Sequence, residues 1–479
     1  MAYDVVIGLE VHAQLLTASK MFCGCAMAFG EAPNRQTCPV CLGLPGALPV
    51  INRQAVEFAI RAGLALGCAI APMNRFARKH YFYPDLPKGY QISQYEQPIC
   101  EHGRLEIRQN GATKRVRIRR AHLEEDAGKS LHAGIVGASH VDLNRAGTPL
   151  LEIVTEPDMG SPDEAVAYLK SLRDILVYLE VCDGNMEEGS FRCEPNLSLR
   201  PVGATALGAK VELKNINSFK FVKAAMEYEI KRQTKVLNAG GAIAQETRLW
   251  DTEKGETAVM RSKEEAQDYR YFPDPDLVPL RITTAMVEAI RKTLPELPEA
   301  MRKRFVHECG LTDYVAGVVT ADPVVAKYFV ASVTAACASG ASPTDVSRDM
   351  ANWITVDLPG LTKEFWKRIP AGELGALSEL KRAGEISGPI AKAVLEEMCK
   401  TGQSAAEIIR AKGLTQVSDE GALETIIDEV MAKNSQQVAQ YRSGKEAVFG
   451  FFVGQVMKSS GGKANPAKVN ELLKRKLAQ

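Results

Sequence analysis

The chain has 479 residues, too many for one simple core, so two or three domains are expected. Its 46% hydrophobic and 24% charged content is that of an ordinary globular protein, and a formal net charge of +1 neither demands nor excludes an anionic partner. Residues Met1–Leu9 carry the acidic Asp4 and no basic segment ahead of an apolar run. With no apolar stretch of about 18 residues either, the chain reads as cytoplasmic. Its 11 cysteines are then thiols or metal ligands, not disulfides. No period of roughly 20–50 residues is present, which excludes a solenoid.

From the N-terminus, short alternating segments broken by Gly, Pro, Asn and Asp predict a strand-rich α+β domain over about 290 residues. Strands are expected at 4–16, 114–124, 148–154, 196–200 and 210–215. Helices are expected at 53–66, 162–179 and 220–237, where apolar residues recur at helical spacing. Near Pro295 and Pro298 the texture changes to helix alone, running to about residue 405. Gly413 and a cap at Ser418, Asp419 and Glu420 then open a third unit. Residues 442–479 hold eight Lys or Arg against Glu446 and Glu471. That tail is either a solvated helical face or a seat for a phosphate backbone.

Side chains alternate along a strand, so Glu10, His12 and Gln14 share one face and Leu9, Val11 and Ala13 the other. A carboxylate and an imidazole two residues apart can reach one hard cation, although a solvent-facing pair on an edge strand has the same spacing. A second acidic group, Glu124, Glu125 and Asp126, follows a strand carrying Arg115, Arg117, Arg119 and Arg120. Glu124 and Glu125 must point opposite ways unless the strand ends there, and either can face inward. The adjoining Gly128, Lys129 and Ser130 resemble a phosphate loop but fail as one, because Leu123 stands where its first glycine belongs. Glu152 lies in the apolar run 150–154, where a carboxylate needs a cation or a partner. Glu187, Arg192, Glu212 and Lys214 add acids and bases beside further glycines and strand signals. A surface salt-bridge ladder is the competing account of that last pair.

Cys23, Cys25, Cys38 and Cys41 form two close-spaced pairs, a pattern that can close a tetrahedral Zn²⁺ site. Four thiolates leave no open position for water, so such a site is structural. The other cysteines lie singly and read as small core hydrophobes. Lys458, Ser459, Ser460, Gly461 and Gly462 echo the serine–glycine loop of amidases but lack its leading glycines, and read as a helix-ending turn. No cysteine has a glutaminase context, so any ammonia must come from another polypeptide.

Eight stretches together resemble the GatB family, the B subunits of aspartyl/glutamyl-tRNA(Asn/Gln) amidotransferases. They are GLEVH (8–12), YFYPDLPKGYQISQ (81–94), HLEEDAGKS (122–130), DLNRAGTPLLEI (142–153), MEEGSFRCE (186–194), VELKNINSF (211–219), DYRYFPDPDL (268–277) and NPAKVN (465–470). The resemblance implies a cradle related to glutamine synthetase over 1–293, a helical domain over 294–405, and a YqeY-like, tRNA-binding tail over 406–479. It implies ATP-dependent phosphorylation of the side-chain carboxylate of Glu-tRNA(Gln) or Asp-tRNA(Asn). Amidation follows, with ammonia supplied by the amidase subunit of a heterotrimer that a third, small subunit completes. The motifs place Glu10, His12 and Glu125 at Mg²⁺, with Glu152, Glu187 and Glu212 as further catalytic acids. Lys79, Lys88, Arg145, Arg192 and Lys214 are the expected contacts to ATP. A non-catalytic tRNA-binding protein and a freestanding amide ligase resembling glutamine synthetase are the rival readings.

Overall fold

The apolar half of the N-terminal alternation decides how the first unit is built. In the computed structural model, which describes residues 2–109, 111–131, 140–262, 268–414, 420–461 and 464–478, the chain forms two compact units, 1–297 and 298–479. The helix cap read at Ser418 and Asp419, and Gly462, lie outside the described residues.

In chain order the first unit opens with β1 (Tyr3–Gln14), α1 (Arg53–Ala65), β2 (Ala69–Ile70), β3 (Met73–Asn74), β4 (Ala77–His80) and β5 (Tyr90–Ser93). It continues through β6 (Cys100–Gln109), β7 (Ala112–Glu125), β8 (Lys129–Leu131), β9 (His140–Asp142), β10 (Pro149–Thr155) and α2 (Pro162–Tyr178). Then come β11 (Phe191–Pro201), β12 (Val211–Lys214), α3 (Phe219–Asn238), β13 (Glu246–Asp251), β14 (Glu256–Ser262) and β15 (Phe272–Pro273). Side-chain caps start the long helices: Asn52 accepts from the N–H groups of Gln54 and Ala55, Ser161 from Glu164, and Ser218 from Phe221.

Among the described residues one sheet carries the order β14-β13-β12-β11-β1-β10-β7-β5-β4-β15, with β6 also paired to β7 and β2 to β6. Every pairing is antiparallel except β12 with β13. Leu9, Val11 and Ala13 are buried in a core shared with Ala59 and Ile60 of α1, Leu169 and Leu172 of α2, and Val222 and Met226 of α3. Helices cover the apolar face of β1, and Glu10, His12 and Gln14 stand on the other. The expected α+β architecture is observed, with strand and helix ends within a few residues of expectation. The exception is β11, which begins at Phe191, five residues earlier.

The second unit is built of helices from Pro298–Cys309 to Pro466–Leu477. Its first part buries Phe305 against Phe329, ring centres 4.9 Å apart. Helices Glu420–Lys433, Phe449–Ser459 and Pro466–Leu477 pack a core of their own around Leu423, Ile427, Phe452, Val456 and Leu473. Lys458 and Ser459 end the second of these, and Gly461 follows at φ +59°. The basic tail is partly neutralised within the unit: Arg475 pairs with Glu424, and with Glu420 at 3.3 Å, while Lys476 pairs with Asp428 at 2.6 Å. No single helix among the described residues is long and apolar enough to cross a membrane.

Leu9 has only 1% of its surface exposed beneath the sheet. Leu9→Ala is expected to lower unfolding free energy by about 2–5 kcal/mol, read from denaturant midpoints, because the packed helices cannot collapse onto the cavity.

Candidate active site

Antiparallel register turns residues far apart in sequence into neighbours across the polar face. In one row Arg192 of β11 faces His12 of β1, His12 faces Glu152 of β10, and Glu152 faces His122 of β7. Two residues along, Glu194 faces Glu10 and Glu10 faces Val154. A third row sets Asn196 of β11 opposite Glu212 of β12, and Glu212 opposite Thr247 of β13. From these rows Glu10, His12, His122, Glu152, Glu194 and Glu212 floor a cavity of about 740 Å³ whose walls include Lys79, Tyr95, Arg119, Arg120, Tyr269 and Tyr271.

Two clusters at the cavity bring ligand atoms within 4.8 Å of one another: His12 and Glu152 with the buried Glu124 beside them, and Glu10, Glu194 and Glu212. Each can hold a metal ion. His12 Nε2 lies 3.5 Å from Glu152 Oε2 and 3.7 Å from Glu124 Oε1, and His122 Nε2 lies 3.3 Å from Glu152. Burial opposes the charge on His12, but its hydrogen bond to Glu152 and the fields of Glu152, Glu124 and Glu194 outweigh burial and push the pKa to about 9. Glu124 is raised by burial and by Glu152, with the two histidines and Lys79 pulling against that rise. Burial likewise works to raise Glu152, yet His122 and His12 hold it well below the usual carboxylate range. Glu10 is raised by burial and by repulsion from Glu152 and Glu194.

Cations complete the site. Lys214 reaches Glu194 at 2.5 Å and Glu212 at 3.3 Å. Lys79 Nζ lies 5.1 Å from the Tyr269 ring centre and 5.8 Å from that of Tyr81. Burial would lower its pKa, but Glu124, Tyr271 and Glu152 raise it, so it stays an ammonium facing the cavity. Above them Tyr95 stacks on Tyr271 with centroids 4.0 Å apart, and the Arg120 guanidinium lies 5.8 Å from the Tyr95 ring centre.

The structure brings Glu10, His12, Glu152, Glu212, Lys79 and Lys214 together in this cavity. The expected trio Glu10, His12 and Glu125 is not assembled. Glu124 takes the inward position beside His12, while the Glu125 carboxylate accepts from Lys88 and, at 2.9 Å, from the Ile92 N–H. Lys88 is thereby occupied outside the cavity. Arg192 and Arg145 turn to Asp126 at 3.1 and 3.5 Å, and Arg145 also donates to the carbonyls of Ala127 and Gly128. Burial would raise Asp126, but those two guanidinium groups hold it below the usual range. Glu187 is exposed in the turn before β11. Sequence reasoning missed Glu194 and His122; reading β11 back to Phe191 would have put Glu194 opposite Glu10.

Apart from the cavity, Cys23, Cys25, Cys38 and Cys41 place their sulfurs within 4.8 Å of one another, a set that can also hold a metal ion. The Cys41 thiol is drawn down to about 4 by a hydrogen bond from Cys23, helped by the backbone at Cys38 and by the Lys20 ammonium.

In metal-free protein, His12 should make stability pH-dependent. Its folded pKa of about 9 exceeds the ordinary 6.5, so the imidazolium contributes fully below pH 6.5 and its contribution is lost as pH rises through 9. Denaturant midpoints measured across that window should fall for the wild type and fall less steeply for His12→Asn. Equal slopes would refute the assignment.

Comparison with known proteins gives one consistent answer. A family model described as the GatB/GatE catalytic domain matches residues 5–288, and one described as a GatB domain matches residues 331–477. Proteins named as the B subunit of aspartyl/glutamyl-tRNA(Asn/Gln) amidotransferase from Geobacter sp. (strain M21) and Geobacter sulfurreducens are each 58% identical over the full length of both chains. The protein of that name from Myxococcus xanthus is 55% identical over 99% of this chain and 98% of its own.

Proposed function

Because the chain belongs to the GatB family, we propose that it is the component of a tRNA-dependent amidotransferase that activates a carboxylate esterified to tRNA. ATP phosphorylates the side-chain carboxylate of Glu-tRNA(Gln) or Asp-tRNA(Asn), and ammonia then replaces phosphate to leave the amide. The observation that carries this reading is the pair of three-ligand clusters at one cavity, with Lys79 and Lys214 beside them.

A carboxylate is a poor acyl donor because oxide does not leave, and an acyl phosphate supplies a leaving group. In the first step a substrate carboxylate oxygen bonds the terminal phosphorus of ATP while the bond to ADP breaks. Ammonia nitrogen then bonds the carbonyl carbon, phosphate departs, and one proton is lost. Such transfers need charge neutralisation and in-line positioning more than covalent help. His12, Glu124 and Glu152, and Glu10, Glu194 and Glu212, fit Mg²⁺: five of the six donors are carboxylates, with one imidazole admissible. An Mg²⁺ ion held by these residues would supply charge neutralisation to the terminal phosphate. Lys79 and Lys214 are placed to meet phosphate oxygens, with the stacked Tyr95 and Tyr271 lining the same cavity. Glu125, Lys88, Arg145 and Arg192 support the walls of the cradle and carry no phosphate.

Within the same reading the first unit is a cradle related to glutamine synthetase. The four cysteines hold a structural Zn²⁺, and the helices beyond residue 405 form a YqeY-like grip on the tRNA body. Ammonia reaches the cavity from the amidase subunit, a third, small subunit completes the heterotrimer, and the assembly works in the cytoplasm.

In the reconstituted complex, Glu124→Gln and His12→Ala should each cut misacylated-tRNA-dependent ATP turnover by about 10²–10³, the loss typical for removing one electrostatic stabiliser. Glu125→Gln should retain most of it. Full turnover in the first two variants would eliminate the reading. Deleting residues 406–479 should raise KM for tRNA and spare ATP chemistry on tRNA already bound; an unchanged KM would remove the tail from recognition.

A further inference from the structure

Two uncharged residues brace the second cluster from behind. Asn196 Nδ2 donates to Glu10 Oε1 at 2.9 Å, and Thr247 Oγ1 donates to Glu212 Oε2 at 2.8 Å. Both sit in the row that crosses Glu212, Asn196 on one side and Thr247 on the other. Thr247 is fully buried and Asn196 is 9% exposed, so neither contact is a chance meeting in solvent.

We propose that Asn196 and Thr247 are positioning residues of the phosphoryl-transfer site, fixing Glu10 and Glu212 for a divalent cation. The inference rests on the reading above and deepens it.

The charge balance explains why the braces are neutral. Lys214 already gives one positive charge to Glu194 and Glu212. Another ammonium or guanidinium at either carboxylate would cancel the field that draws a metal ion into the cluster. An amide and a hydroxyl fix each carboxylate's orientation and leave its negative charge intact. Hydrogen-bonding partners of metal ligands act in this way, and losing one weakens metal affinity by about 10–100-fold.

Rigidity comes from the next residue. In the pairing of β13 with β14 the register shifts between Thr247 and Arg248. Arg248 then locks into the buried network behind the sheet, donating to Thr257 Oγ1 at 2.8 Å and to Glu246 at 2.7 Å, with Glu229 of α3 3.6 Å away. Thr247 is thereby held toward the cavity by an anchor on the far side.

The test is titration of the full-length chain with Mn²⁺ alone, counting free ion by electron paramagnetic resonance, so that no turnover is needed. Thr247→Val keeps the shape and removes the hydroxyl; it should weaken binding of one Mn²⁺ by about 10–100-fold. Thr247→Ser keeps the donor and should bind close to wild type, and Asn196→Ala should weaken the same ion. Unchanged affinity in Thr247→Val, an equal loss in Thr247→Ser, or no Mn²⁺ bound by the wild type would each overturn the proposal. A fall in melting temperature without a fall in affinity would do the same, since it marks a merely structural bond. Failure of tRNA-dependent ATP turnover in the wild-type complex would instead refute the activity, leaving the ion titration to decide the bracing.

Discussion

Five carboxylates, from Glu10, Glu124, Glu152, Glu194 and Glu212, gather in two clusters at one cavity, and their mutual repulsion is the constraint around which the first unit is arranged. Two carboxylates about 4 Å apart repel by roughly 4 kcal/mol at an effective dielectric near 20, and several such pairs meet here. Left uncompensated they would take up protons or spread apart. The protein offsets part of this repulsion with His12, Lys79 and Lys214. On the proposed reading, the part left over draws divalent cations, and through them phosphate, to the cavity.

Holding that charge in place requires a sheet whose other face is strongly buried. The side chains that alternate with the acids, Leu9, Val11 and Ala13 on β1 and Leu151 and Ile153 on β10, lie in the helix-covered core. A one-residue slip would exchange the two sets, driving apolar side chains into the cavity and carboxylates into the core. Core packing thus fixes the register that aligns the row from Arg192 through His12 and Glu152 to His122. Stability and chemistry share a single geometric condition.

Much of this was legible in the residues. Alternation along β1 gave both the buried and the polar face, and Glu152 in an apolar run declared itself a carboxylate in need of a partner. What strand periodicity cannot give is which strand lies beside which, so the join between His12 and Glu124 was out of reach. The choice between Glu124 and Glu125 turned on where β7 ends, and β7 continues through Glu125, keeping the alternation intact. Lys88, Arg145 and Arg192 looked like phosphate ligands because a cation in a motif does not say which anion it answers. Glu125 and Asp126, sequence neighbours of the site, claim all three. Glu194 escaped notice because Pro195 interrupts its strand pattern, although β11 runs through it.

The displaced residues explain why a cysteine knuckle belongs beside this sheet. Gly43, at φ +69°, lies so close to Lys88 that an added Cβ would stand 2.5 Å from that side chain, and Gly147 would bring one within 3.6 Å of Cys41. The buried Lys20 ammonium donates to the carbonyls of Gln36 at 2.7 Å and Leu143 at 3.2 Å, tying the knuckle to the segment that leads into β10. Lys88 in turn pairs with Glu125 at the end of β7. Knuckle, Lys20 and Lys88 therefore form one wedge against the ends of β7 and β10. The wedge gives Glu125 its own cation on the far side of the strand, which leaves Glu124 as the carboxylate that turns to His12. A structural metal held by the four cysteines would act on the chemistry only in this indirect way, by keeping two adjacent acids pointed in opposite directions.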